Sequence, residues 1–240
     1  NPFIANFQYP KFGIGFNIWI MKSYYALALL LFLTACVKTN TNNQSVIDAR
    51  VDSVMSLMTL EEKIGQLNLP SAGAFVTGEA ESSDIAKKIE EGKVGGLFNI
   101  KGVAAIREMQ QIAIEKSRLK IPLLFGMDVI HGYESVFPIP LGLSCSFDLD
   151  LIEHTARIAA GEASADGINW TFSPMVDISR DPRWGRISEG NGEDAYLGGE
   201  IAKAMVKGYQ GNDLSKNNTI MSCVKHYAMY GAAEAGRDYN

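Results

Sequence analysis

Cysteine and histidine are scarce in this 240-residue chain, and their spacing excludes the usual metal and thiol chemistries. There are three of each: Cys36, Cys145 and Cys223, and His131, His154 and His226. No two cysteines lie close enough for a zinc or redox motif, and the histidines show no HExxH or similar ligand spacing. Neither a metal nor a cofactor is expected. Positive charge is also in short supply, with 22 Lys and Arg against 27 Asp and Glu and a net charge of −5. The most basic stretch, 180–186, has Asp181 inside it and reads as a loop with internal ion pairs. A phosphate-tracking stripe needs several like charges on one face, so no nucleic-acid partner is expected. A glycine-rich turn opening a first helix is missing as well, since Gly95-Gly96 falls inside an apolar segment. That absence argues against a dinucleotide-binding open sheet. What remains is ordinary globular composition, 47% hydrophobic and 20% charged, long enough for one barrel-sized domain or part of a larger one.

The first residues read as an address. Lys22 precedes an apolar run over 24–33, which small residues close at Leu33-Thr34-Ala35-Cys36. The run is too short for a comfortable membrane span and has the layout of a secretory signal. Its end resembles the bacterial lipobox, in which the cysteine is acylated and becomes the mature N-terminus. Residues 21–36 are therefore expected to be a lipoprotein signal with lipidation at Cys36, and polar 37–45 a flexible tether. A periplasmic or cell-envelope protein follows, touching the membrane through its lipid alone. Residues 1–20 precede the good start at Met21 and are expected to be upstream read-through.

From residue 46 onward, helical and strand-like pieces alternate. The segment 46–58 is amphipathic, and Thr59-Leu60-Glu61-Glu62 has the pattern of a capping box that opens a helix to about residue 67. Short apolar strands are expected at 94–98, 122–126, 169–172 and 219–224. Between them lie helices at 103–117 and 149–165, and a third that Glu193 and Asp194 open near its positive end and that runs to about residue 209. Such alternation means βαβ units and a parallel sheet. The placement of polar residues selects a barrel. Asp128 and the Lys225-His226 pair each follow the carboxyl end of a strand, and in a (β/α)8 barrel those ends share the face where active sites form. The fold expected for 46–240 is thus a partial (β/α)8 TIM-type barrel, roughly its first half.

The candidate site residues are Asp128, Arg186, Lys225 and His226, with Trp184 as an aromatic platform. A carboxylate at a strand end is costly unless something binds it. Carboxylate, guanidinium and ammonium groups together make charge-assisted hydrogen bonds to a neutral polyol, and Trp184 or Tyr230 can pack on the apolar face of a sugar ring. Singly, each residue has a plainer use. Asp128 could cap a helix or pair with a cation; Arg186 could pair with Glu189, Glu193 or Asp194; His226 could sit satisfied in the core, and Trp184 could be packing.

Taken together, the segments resemble the N-terminal domain of glycoside hydrolase family 3. They are Met127-Asp128-Val129-Ile130-His131-Gly132, Phe137-Pro138-Ile139-Pro140-Leu141-Gly142, Ser173-Pro174-Met175-Val176-Asp177 and Asp181-Pro182-Arg183-Trp184-Gly185-Arg186. Gly192-Glu193-Asp194 and Lys225-His226-Tyr227-Ala228-Met229-Tyr230-Gly231 complete the series, in the family's order over roughly 58–240. The resemblance implies that Asp128, Arg186, Lys225 and His226 hold hydroxyls of the non-reducing sugar in a retaining exo-β-glycosidase. It also implies a nucleophilic Asp and an acid/base Glu on later segments, so both are expected beyond Asn240. The 240-residue chain would then be inactive and poorly folded alone. The loop after His226 lacks the proline and second histidine of the family's N-acetylglucosaminidase branch, which favours a β-glucosidase or a β-xylosidase. A β-linked oligosaccharide or glucoside is the expected partner; a lipid-anchored sugar-binding protein without catalysis is the alternative from another class.

Overall fold

The computed structural model describes residues 41–72 and 84–238. The 1–20 segment, the signal 21–36 with Cys36, and 37–40 of the tether lie outside the described residues. Two units meet at Leu57/Met58. In the first, helix α1 spans Thr41–Leu57, so the part of the expected tether from Thr41 on is helical. Gln44 donates to the Asp48 carboxylate one turn on at 2.8 Å, a local bond that supports an early helix start. Among the described residues no helix is long and apolar enough to cross a membrane.

The second unit begins with the capping box. The Glu62 amide donates to the Thr59 hydroxyl at 3.2 Å, and the Thr59 amide donates back to the Glu62 carboxylate at 2.9 Å. Helix α2 then covers Leu60–Gly65, shorter than the sequence suggests, and its last turn tightens into three-residue bonds through Leu67 and Asn68. Gly65 explains the early stop. A Cβ there would lie 2.2 Å from the Gly92 carbonyl oxygen, so two backbones meet at this point. Helix α3 follows at Ile85–Glu90, and α4 at Val103–Gln111 runs on into a wider π-type turn, Ile112–Lys116.

Strands β1 (Gly96–Phe98), β2 (Leu124–Met127), β3 (Trp170–Thr171) and β4 (Met221–Ser222) form one parallel sheet in the order β1-β2-β3-β4. Each new strand adds beside the one before it. A doubly wound sheet reverses direction at a switch point, whereas a barrel does not, so this order is that of consecutive barrel strands. A further parallel bridge joins Ser71 to Phe98, with Phe98 donating to Pro70 and Ala72 donating to Phe98. This strand position escaped the sequence reading because Pro70 and Ser71 interrupt the apolar pattern. The two sheet faces differ in use. Leu97, Phe125 and Thr171 are fully buried, and the first two join the hydrophobic core of the helix layer. On the other face Phe172 stacks edge-to-face with Phe98 and Trp170 at 6.2 and 4.9 Å. Gly126 makes room for it, since a Cβ there would stand 2.5 Å from the Phe172 ring.

Helix α5 is a short turn at Pro140–Ser144, and α6 spans Leu149–Ala165, the bounds read from the sequence. Asp148 caps α6 by accepting the Leu151 amide at 2.9 Å, and Ile152, Ala156, Ala159 and Ala163 form its buried face. Helix α7, Ala195–Gln210, is capped in the same way by Asp194. The two helices pack so closely that a Cβ on Gly208 would lie 2.4 Å from the Glu153 carbonyl oxygen. Cys145 and Cys223 are both free thiols.

Candidate active site

Asp128 is the first residue after β2, and the chain around it is fixed from two sides. The Val129 amide donates to the Thr171 hydroxyl at 3.2 Å, and the Val129 carbonyl accepts the Tyr209 hydroxyl at 2.6 Å. Tyr209 is deep in the core, and burial pushes its hydroxyl up to about 12. Lys225 lies across the sheet. The ladder between β3 and β4 continues past the strands proper, with Cys223 donating to Ser173, Lys225 to Pro174 and Val176 to Lys225. That extension turns the Lys225 ammonium onto Asp128 Oδ1 at 2.8 Å. The lysine side chain is only 14% exposed and the aspartate 49%, so the ammonium is largely covered while the carboxylate stays open to solvent.

His226 follows directly. Its Nδ1 and its backbone N–H both point at Asp177 Oδ2, at 2.8 and 3.1 Å. A carboxylate only accepts, so Nδ1 carries the proton and Nε2 is left for another partner. Asp177 is nearly buried and acts as the orienting group. Nothing local in the sequence signals this contact, because the two residues lie 49 positions apart.

Arg186 stands in a 3-10 turn, Gly185–Glu189. Of its possible partners it takes Glu189, through two parallel bonds of 2.6 and 2.7 Å, while Asp194 is occupied as the α7 cap. The Glu189 bonds hold the guanidinium above its ordinary range, against the opposing effect of burial. For Glu189 burial works to raise the carboxyl, but the Arg186 bond and the charges of Arg186, Lys225 and His226 outweigh it, and the group sits below its usual range. Lys225 and His226 therefore act electrostatically on the Arg186–Glu189 pair. Tyr230 links the two: its ring lies 4.7 Å from the His226 ring and 5.4 Å from the Arg186 guanidinium.

Trp184 requires a correction. It is 1% exposed, packs edge-on against Tyr230 at 5.3 Å and donates its indole N–H to Asp238 at 2.5 Å. A sugar cannot stack on a buried ring, so Trp184 is a support for Tyr230 and not a platform. The open space lies elsewhere. A cavity of ≈ 310 Å³ is lined by Asp128, Ile130, His131, Gly132, Ser188 and Glu189, among others. Its wall mixes the polar groups of Asp128, His131, Ser188 and Glu189 with apolar Ile130, Ile139 and Pro140, a mixture that suits a sugar. Lys225, Arg186 and His226 are not in its lining, and His226 faces a second cavity of ≈ 250 Å³ beside Asp177. Both its carboxylates are ion-paired, Asp128 with Lys225 and Glu189 with Arg186. Among the described residues no group of His, Cys, Asp and Glu is arranged to hold a metal ion.

Consecutive parallel strands with a charged cavity beyond their carboxyl ends define a barrel-type domain with its site where such domains place them. A family model described as the glycosyl hydrolase family 3 N-terminal domain matches residues 59–240, and the chain belongs to that family. A periplasmic β-glucosidase of Salmonella typhimurium is 49% identical over 193 residues, covering 80% of this chain and 25% of the relative. A periplasmic β-glucosidase/β-xylosidase of Dickeya chrysanthemi is 34% identical, covering 79% of this chain and 33% of the relative. The crystal structure of β-glucosidase from Listeria innocua in complex with isofagomine matches with TM-score 0.72 and 43% identity, over 80% of this chain and 27% of that one. The chain thus spans between a quarter and a third of the length of these relatives.

Proposed function

We propose that this chain supplies the sugar-binding face of a retaining exo-β-glucosidase, with Asp128, Lys225, His226 and Arg186 holding the hydroxyls of the terminal non-reducing glucosyl unit. The observation that carries this reading is Asp128, held by Lys225 at 2.8 Å, on the wall of a ≈ 310 Å³ cavity that Glu189 also lines. Asp128 accepts from sugar hydroxyls, Lys225 and Arg186 donate, and His226 offers Nε2 in an orientation fixed by Asp177. None of these groups needs to react. Cleavage with retention needs one carboxylate to attack the anomeric carbon and another to protonate the leaving oxygen. The reading uses Asp128 and Glu189, paired with Lys225 and Arg186, as binding groups and leaves the nucleophilic Asp and acid/base Glu to residues beyond Asn240.

A second reading within the family is a β-xylosidase or a broad-specificity exo-β-glycosidase, favoured by the Dickeya relative named for both activities. Hydrolysis of aryl β-glucoside and aryl β-xyloside by the full-length protein separates them. A kcat/KM at least about tenfold higher on the glucoside, which corresponds to about 1.4 kcal/mol, fits the first reading; equal values fit the second. Release of aglycone from neither would favour a sugar-binding protein without catalysis. Residues 38–240 alone should release none. The same reading puts the protein in the periplasm or envelope, which the relatives named periplasmic support, with a lipid anchor on Cys36 that rests on the lipobox-like Leu33-Thr34-Ala35-Cys36 alone. Palmitate labelling that persists in Cys36→Ser would overturn the anchor.

A further inference from the structure

Helix α6 ends on two acids where a helix terminus favours bases: Glu162 lies in its last turn and Asp166 is its C-cap, with no basic residue in that turn. Their partners explain them. Glu162 Oε2 accepts the backbone amides of Glu134 and Ser135, both at 2.9 Å, and Oε1 accepts the Ser135 hydroxyl at 2.6 Å. Asp166 Oδ2 accepts the Gly102 amide at 3.0 Å and also the Tyr133 hydroxyl. Lys101 pairs with Glu134 at 2.5 Å and lies 4.9 Å over the Tyr133 ring. All of these contacts fasten one loop, 131–137, from outside.

The loop is itself closed. Phe137 donates to the His131 carbonyl at 2.9 Å, and Gly132 pairs antiparallel with Val136. Gly132 has φ +114°, and a Cβ there would come 1.9 Å from the Ser135 carbonyl oxygen, so the turn accepts glycine alone. The base of this loop faces the sugar cavity, where His131 and Gly132 stand with Asp128 and Glu189. His131 Nδ1 lies 3.2 Å from the Phe137 carbonyl oxygen, which can only accept. The proton therefore sits on Nδ1, and Nε2 is left as an acceptor.

We propose that the 131–137 loop is a clamped wall of the sugar cavity, with Glu162 as its positioning residue and His131 presenting an acceptor nitrogen to a substrate hydroxyl. This rests on the reading of the cavity as a sugar site. Glu162 bonds the tip of the loop, and the closed hairpin carries that constraint to the ring at its base. The Ser135 hydroxyl and the two amides hold the Glu162 carboxyl below its ordinary range, which favours the charged form that accepts all three bonds. An alanine at 162 removes all three of these bonds and opens the clamp, whereas a glutamine could keep them, with its carbonyl on the two amides and its NH2 on the Ser135 hydroxyl oxygen.

The test is a double-mutant cycle in the full-length protein, with kcat, KM and Tm measured for aryl β-glucoside hydrolysis. His131→Ala and Glu162→Ala should each raise KM by about five- to tenfold, the loss of one hydrogen bond to substrate, with kcat within about twofold of wild type. The double variant should be no worse than His131→Ala, because Glu162 acts through that ring. Ser135→Ala removes one clamp bond at an exposed position and should shift KM in the same direction by less, which covers failure of Glu162→Ala to fold. An unchanged KM in His131→Ala, additive effects in the double variant, or a Glu162→Ala protein altered only in Tm would each overturn the proposal. Asp128→Asn in the same series keeps the two readings apart. If it retains full activity the sugar site itself falls; if it loses activity while His131→Ala does not, only the loop assignment falls.

Discussion

Replacing Asp128 by asparagine removes one charge from the cavity wall and almost no volume. In the folded protein Asp128 Oδ1 takes the Lys225 ammonium at 2.8 Å, with the carboxylate side chain 49% exposed. A half-exposed pair is screened by solvent, so its loss costs about 1 kcal/mol of stability or less, and the variant should fold. The effect on the substrate is larger. Hydrogen bonds to a charged group contribute about 1.5–3 kcal/mol each, so losing one lowers kcat/KM by about 10- to 100-fold. The sugar ring flattens toward an oxocarbenium ion in the transition state, and its hydroxyls strengthen their bonds there, so kcat should fall as well as KM rise. The assay is steady-state hydrolysis of an aryl β-glucoside by the full-length protein, with thermal unfolding measured in parallel. Activity within about threefold of wild type, under 1 kcal/mol, would make Asp128 a structural ion-pair partner and refute the reasoning.

Gly208→Ala sets packing against propensity: alanine gains about 1 kcal/mol in a free helix, but here its Cβ would stand 2.4 Å from the Glu153 carbonyl oxygen and 2.6 Å from the Ala156 Cβ. Neither neighbour is a flexible side-chain end, so denaturant unfolding should show a loss of about 1–3 kcal/mol, and a gain would mean that α6 and α7 are not in this contact. Tyr209→Phe should lower stability by about 1–3 kcal/mol, because the Val129 carbonyl loses its buried donor. The folded Tyr209 hydroxyl ionises at about 12, above its usual value of about 10, so the stability it contributes is present below that value and lost as pH rises toward 12. Unfolding of the phenylalanine variant should lack that alkaline decline relative to wild type; parallel curves from pH 10 to 12 would contradict the burial of the hydroxyl.

Local chemistry was legible in the sequence, and long-range pairing was not. Thr59 and Glu62 cap each other as their spacing suggests, and Leu149–Ala165 has the expected helix bounds, because caps and apolar periodicity act within a few residues. The strands are shorter than their apolar runs, since pairing needs a partner at every position and Trp170–Thr171 is only two residues long. The strand position at Ser71 was invisible because Pro70 breaks the pattern. At the site, Asp128 and Lys225 were recognisable as polar residues at strand ends, and the fold joins them across 97 positions. Arg186 found a partner three residues away, at Glu189, a spacing that sequence alone could have ranked first. Asp177 and Trp184 were not legible in their roles: both lie in a loop whose path, not its composition, buries them.

The central claim is that Asp128, Lys225, His226 and Arg186 converge on one sugar, and a crystal structure of the full-length protein with glucose tests it most directly. The account expects sugar hydroxyls at hydrogen-bonding distance from the Asp128 carboxylate, the Lys225 ammonium and His226 Nε2, in the cavity that Asp128 shares with His131 and Glu189. Glucose bound elsewhere, with the Asp128–Lys225 pair closed upon itself and out of its reach, would contradict it.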